Sequence, residues 1–212
     1  MILAPAPLAH NSVRPTPLRA TAQCKPRPHE KSRAMNTVIR KESPSDVGAI
    51  HALTVAAFSN APHTDHREQF IIDALRKAGA LSISLVAEQA GTVVGHVAAS
   101  PVSVSDGSLG WYGLGPVSVM PEFQGRGIGG QLMKAALSSL RENGAAGCVL
   151  LGDPAYYSRF GFQVEPKLAL SHVPPEYFQA LSFGASLPCG VVAYHGSFSA
   201  PGEQVVQADG AA

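Results

Sequence analysis

The sequence predicts a single mixed α/β domain preceded by a distinct amino-terminal segment, and three observations carry that expectation. The 212 residues are 45% hydrophobic, enough apolar material for one substantial core. After residue 35 the apolar spacing alternates between a period of two and one of about 3.6, the marks of strands and amphipathic helices. Past the middle of the chain, an apolar strand runs into a glycine-rich turn that opens a helix.

Residues 1–34 stand apart from the rest. They hold six prolines and six basic residues against the single acid Glu30, a composition that predicts a disordered extension. Prolines interrupt the apolar start, so a secretory signal is not expected. A transit peptide and an extension upstream of a true start at Met35 both remain open. The strand that begins directly after Met35 favours the second, which bounds the domain at residues 35–200 with a flexible tail at 201–212.

Within the domain, Thr37 to Glu42 reads as a strand. Pro44 to Phe58 reads as a helix capped by Ser43, with Val47, Ile50, Leu53, Ala57 and Phe58 on its buried face. A second helix carries Phe70, Ile71, Ala74, Leu75 and Ala78 inward and stops at Gly79. Two strands, ISLVAEQA and VVGHVAASPVSV, flank a hairpin turn at Ala90, Gly91 and Thr92. A third runs from Trp111 to Met120 and ends at Pro121. The next helix carries Ile128, Leu132, Ala136 and Leu140 and ends at Asn143-Gly144. CVLLG follows as a strand buried on both faces, then a short helix, then VVAYHGSF as a last strand.

Charge narrows the partners. Sixteen Lys and Arg against fifteen Asp and Glu leave +1, too little for a nucleic-acid or membrane surface. No apolar run reaches the roughly 20 residues of a membrane span. Cys24, Cys148 and Cys189 are odd in number and form no CxxC pair, which points to reduced thiols in the cytoplasm, with neither a disulfide framework nor a metal site. Oligomeric state is open, a homodimer included.

The chemistry concentrates in LGPVSVMPEFQGRGIGG. Gly125, Gly127, Gly129 and Gly130 let the backbone curl, and the first N–H groups of the helix they open have no intrahelical partner. Unpaired donors and the helix dipole favour a diphosphate, to which Arg126 can add a contact. Gln124-x-x-Gly127-x-Gly129, preceded by Val117-x-Val119-x-Pro121, resembles the coenzyme A signature of the GNAT N-acetyltransferase superfamily. Ala155-Tyr156-Tyr157-Ser158-Arg159-Phe160-Gly161-Phe162 resembles that family's later motif, with a tyrosine four residues before Gly-Phe. Together the segments look like the small bacterial YhbS-like branch, over about residues 37 to 195.

The resemblance implies a mixed, mostly antiparallel central sheet with flanking helices and splayed central strands. It implies acetyl-CoA as acyl donor and an amine as acceptor. Val117, Ser118 and Val119 would line the pantetheine, and Gln124, Gly125, Arg126, Gly127, Ile128, Gly129 and Gly130 would hold the phosphates. The Val119 amide would stabilise the oxyanion, and Tyr157 would protonate the departing thiolate during direct transfer in a ternary complex. Tyr156, Phe160 and Phe162 read as packing residues, and Cys148 as inert.

The base that deprotonates the amine is not evident. Asp153 reads first as the N-cap of the helix at Pro154, Glu122 as solvated and His96 as structural. His63, Asp65, His66 and Glu68 form a polar cluster suited to substrate recognition or to capping. Residues 165–195 would shape the acceptor pocket. Two rival functions remain. Gly125-x-Gly127-x-x-Gly130 with Asp153 also fits a dinucleotide fingerprint, but four residues separate strand from glycine and too little chain follows for a second mononucleotide half. An acetyl-CoA sensor without turnover is the other, and the presence of Tyr157 argues against it.

Overall fold

A computed structural model describes residues 36–199, apart from 62, 63 and 185. The extension 1–34, Met35, the tail from residue 201, Cys24 and His63 lie outside the described residues. Chain order is β1 (Val38–Lys41), a 3-10 turn, α1 (Val47–Phe58), α2 (Glu68–Lys77), β2 (Ile83–Gln89), β3 (Thr92–Val104) and β4 (Trp111–Val119). There follow α3 (Ile128–Glu142), β5 (Gly147–Leu151), α4 (Pro154–Tyr157), β6 (Leu168–Leu170), β7 (Phe178–Ser182) and β8 (Gly190–Tyr194).

The strands form one eight-stranded sheet in the order β1-β2-β3-β4-β5-β7, with β8 pairing the outer part of β3 and also β6. The β4–β5 and β6–β8 pairs are parallel and the others antiparallel. Apolar residues recurring at three and four give α3 one buried stripe, Ile128, Leu132, Met133, Ala136, Leu137 and Leu140, which packs on Val97, Ala99 and Leu114 of the sheet. On the opposite face α1 and α2 bury Ile50, Leu53 and Ile72 against Val86 and Val93.

The start of α1 is fixed locally. Pro44 begins a 3-10 turn, and the Asp46 carboxylate accepts from the Ser43 N–H at 2.7 Å and from the Ser43 hydroxyl. Arg40 then clamps Asp46 and Glu88 to β1. Arg40 holds the Asp46 carboxyl well below the usual carboxylate range.

Several expectations need correction. The buried face of α2 is Ile71, Ile72 and Leu75, rotated away from Phe70 and Ala74, and Ala78 is exposed. Val47 is only half-buried. The last strand ends at Tyr194, and Gly196–Ser199 is a 3-10 turn. Residues 165–195 contribute β6, β7 and β8 to the sheet, so much of this segment is framework.

Candidate active site

β4 is the strand on which the site is built. Its first residues pair with β5 from Trp111↔Gly147 to Gly113↔Val149; among the described residues the two strands share no pair beyond that. From there β5 stays with β7 while β4 stays with β3, so a fork opens between two parallel strands. On the β3 side, Gly115 and Pro116 stand opposite the single residue Ala98, a β-bulge between the pairs Ala99↔Leu114 and Val97↔Val117. Glycine takes the bulge readily at φ 140°, and Pro116 has no N–H to lose from the ladder.

The alternation of the antiparallel ladder decides which backbone groups face the fork. Met120 donates to the Val94 carbonyl at 3.0 Å, so Met120 and Ser118 point toward β3. Val117 and Val119 therefore turn their N–H and C=O groups to the fork, where no strand receives them. The Val119 carbonyl is taken by the Gln124 Nε2 donor at 3.0 Å. Gln124 also spends its main-chain N–H on the Pro121 carbonyl, so both its groups fasten the turn to the end of β4.

The turn itself is open. Gly125 and Gly127 sit at φ 72° and 81°, left-handed conformations that favour glycine, and a Cβ at either would meet nothing within 4 Å. None of the six main-chain N–H groups from Gly125 to Gly130 meets a protein acceptor among the described residues. They cluster at the N-terminus of a 15-residue helix, an arrangement that attracts anions. Ile128 buries its side chain in the core and offers only its amide. Arg126 is exposed, with its guanidinium 5.2 Å from the Phe123 ring centroid.

Aromatic residues line the far side of the fork. Asp153 accepts from the Ala155 N–H at 2.9 Å and so caps α4, as its position before Pro154 suggests. The Tyr157 ring packs so closely on Gly152 that a Cβ there would stand 2.2 Å from Cε2. Its side chain meets Phe162 and Tyr156 edge to face, and its hydroxyl has no hydrogen-bond partner among the described residues. Burial, reinforced by Tyr156, pushes the Tyr157 phenol above the usual range, which keeps it protonated.

Two further tyrosines reach this region, neither assigned to it by sequence. A Cβ at Gly129 would stand 3.3 Å from the Tyr156 hydroxyl and 3.7 Å from Val119 Cγ2, so Tyr156 overhangs the start of α3 beside the strand end. Arg159 covers its ring at 3.7 Å. Tyr194 packs on Gly113 at the root of the fork, where a Cβ would lie 2.2 Å from Cε1. The glycine in YGLG is a sequence signal for the Tyr194 seat, as the one in LLGDP is for the Tyr157 seat.

Ser118 turns its hydroxyl to Thr54 of α1 at 3.3 Å, away from the fork. Glu122 is exposed. His96 is fully buried: the Ser84 hydroxyl donates to Glu42, so the His96 Nε2–H donates to Ser84 Oγ at 2.8 Å. Burial lowers its pKa to about 4, with Arg76 adding to the effect. Cys148 is fully buried, and burial pushes its thiol up, so it is not a nucleophile. Among the described residues no group of three His, Cys, Asp or Glu gathers as metal ligands, and no helix is long and apolar enough to cross a membrane.

A parallel-strand fork, a bulged strand with a free edge and an open glycine turn at a helix N-terminus define an acyl-coenzyme A transferase architecture, and the chain belongs to the GNAT acetyltransferase family. Residues 38–164 match the model of the acetyltransferase (GNAT) domain. The N-acetyltransferase YhbS of Escherichia coli K12 is 41% identical over 128 residues, 60% of this chain and 74% of that protein. Among solved structures, a GNAT family acetyltransferase from Brucella melitensis in complex with acetyl-CoA is 50% identical, with a TM-score of 0.70 over 77% of this chain and 99% of that one. E. coli YhbS in complex with CoA is 35% identical, also at a TM-score of 0.70, over 82% of this chain and 98% of that one.

Proposed function

We propose that this enzyme transfers the acetyl group of acetyl-CoA directly to an amine while both are bound. The observation that carries the reading is the row of six acceptor-less N–H groups at Gly125–Gly130 beside the free edge of β4. The diphosphate lies on the turn, assisted by Arg126, and pantetheine runs along Val117 and Val119 as an added strand, whereas Ser118 faces β3 and α1 and makes no contact with it. Acetyl-CoA as the donor is supported by the Brucella relative, whose structure contains it, and by YhbS, which holds CoA.

The thioester carbonyl points at the Val119 N–H, which is fixed before the reaction and meets the charge that develops on oxygen. The neutral amine attacks the carbonyl carbon, the carbon–sulfur bond breaks, and the sulfur leaves with the bonding pair. Tyr157 gives that thiolate a proton; burial keeps this proton available at neutral pH. The nitrogen, cationic after attack, loses one proton to solvent as the amide forms, and solvent returns a proton to Tyr157. Reduced Cys148 and a donor made in the cell interior support a cytoplasmic setting.

The test is release of free thiol from acetyl-CoA across a panel of amines, paired with acetyl-CoA titration of Gly129→Trp. Gly129 has an ordinary helical backbone and its Cβ position faces Tyr156 and Val119, so an indole there blocks the turn without backbone strain, once the Tyr156 hydroxyl gives way by a few tenths of an ångström. Affinity lower by about tenfold or more is expected, from loss of charge-assisted contacts. Unchanged affinity would remove the phosphate role.

A further inference from the structure

We infer that Tyr156 and Arg159 form a second wall of the coenzyme's diphosphate site, the phenol donating to a phosphate oxygen and the guanidinium, stacked on its ring, supplying charge. This rests on the acetyl-transfer reading and adds two binding residues to its site.

The four glycines of the turn are not equivalent. A Cβ at Gly125 or Gly127 would meet nothing within 4 Å, whereas one at Gly129 would stand 3.3 Å from the Tyr156 hydroxyl and one at Gly130 would stand 3.9 Å from Phe160 Cζ. The turn is therefore open on one side and walled on the other. The wall is built by α4 and the 3-10 turn Ser158–Phe160 that follows it.

The Tyr156 hydroxyl makes no hydrogen bond among the described residues, although it stands beside the free N–H groups that open α3. Burial raises the pKa of this phenol and outweighs the opposing effect of Arg159, so the oxygen keeps its proton. Diphosphate oxygens are ionised at neutral pH and only accept, which makes a protonated phenol next to main-chain N–H groups a matching donor.

Arg159 is held in place by its own turn. Its Nε donates to the Tyr156 carbonyl at 2.9 Å, and its guanidinium carbon lies 3.7 Å from the Tyr156 ring centroid and 5.4 Å from that of Phe160. The side chain is exposed, and among the described residues no carboxylate pairs with it. Arg126, within the turn, has no acidic partner there either. The doubly esterified diphosphate carries two negative charges, and these two guanidiniums flank the donors that hold it.

Calorimetric titration of CoA, dephospho-CoA and pantetheine into the unaltered protein and into Tyr156→Phe and Arg159→Gln tests the wall. Tyr156→Phe keeps the ring that packs on Tyr157 and removes only the hydroxyl. Each variant should bind CoA roughly tenfold more weakly, the scale of one hydrogen bond to a charged group, and pantetheine within about twofold of the unaltered protein. Dephospho-CoA, which keeps the diphosphate and lacks the 3′-phosphate, should show the same loss. Unchanged CoA affinity in either variant, or an equal loss with pantetheine, overturns the assignment. So does a loss confined to CoA, which would move the contact to the 3′-phosphate. Should one variant not fold, the other decides by the same comparison. Failure of the unaltered protein to bind CoA would instead count against the acetyl-transfer reading itself.

Discussion

Two tyrosines seated on two glycines fix the fork at the level of single residues. Tyr157 lies on Gly152 and Tyr194 on Gly113, each so close that even a methyl group would collide with the ring. Gly152→Ala should therefore cost about 1–3 kcal/mol by overpacking, measured by denaturant unfolding, and lower turnover by displacing the phenol. Tyr157→Phe keeps the ring and removes only the hydroxyl to which proton donation is assigned above. Its kcat should fall on the order of a hundredfold while acetyl-CoA affinity changes less than about twofold, a split that stopped-flow kinetics and calorimetry can read. The sequence made Tyr157 legible through its distance from Gly161-Phe162. It did not reveal Tyr156, because neighbouring residues on a one-turn helix point in different directions and nothing local says which meets α3.

His96 makes a residue-scale prediction about pH. The native state keeps it neutral down to about pH 4, whereas the unfolded chain takes up the proton near the ordinary value of 6.5. The unfolded state binds more protons in that window, so stability present above it is lost as pH falls through it. Thermal unfolding from pH 7 to pH 4 should show the decline, and His96→Gln should flatten it. A variant with the same slope as the unaltered protein would place the acid sensitivity elsewhere.

At the scale of elements, the site depends on β4 losing one neighbour and keeping the other. Gln124 ties the turn to the strand end through the Val119 carbonyl. Gln124→Ala should raise the KM for acetyl-CoA several-fold with little change in Tm, since one hydrogen bond at a half-exposed position is worth about 1 kcal/mol. The hairpin of β2 and β3, the strand β4 and the helix α3 were readable because each has a clean period and a glycine or proline at its end. β6 and β7 were not. LAL and FQALS are too short for a period, and Gln179 in β7 is buried only because it donates to the Gly152 carbonyl at 3.0 Å, a pairing across 27 residues. The fork was foreseen from family resemblance alone, since no local signal announces where two strands part.

At the scale of the whole molecule, α3 covers one face of the sheet and α1 with α2 the other, and the open edge of β4 lies where β5 parts from it. The direct transfer proposed at this edge needs no acetyl-enzyme. Incubation with acetyl-CoA alone should leave the intact mass unchanged, and initial-rate plots should intersect rather than run parallel; an added acetyl mass on Cys148 would refute direct transfer.

Whether the free backbone donors of the glycine turn grip a diphosphate is decided by titrating the nitrogen-15-labelled protein with CoA and, separately, with pantetheine, which lacks the phosphates. The amide resonances of Gly125 to Gly130 should shift strongly and saturably with CoA and scarcely with pantetheine. Resonances that stay in place when CoA saturates the protein, or that respond equally to both ligands, would remove the diphosphate from the turn.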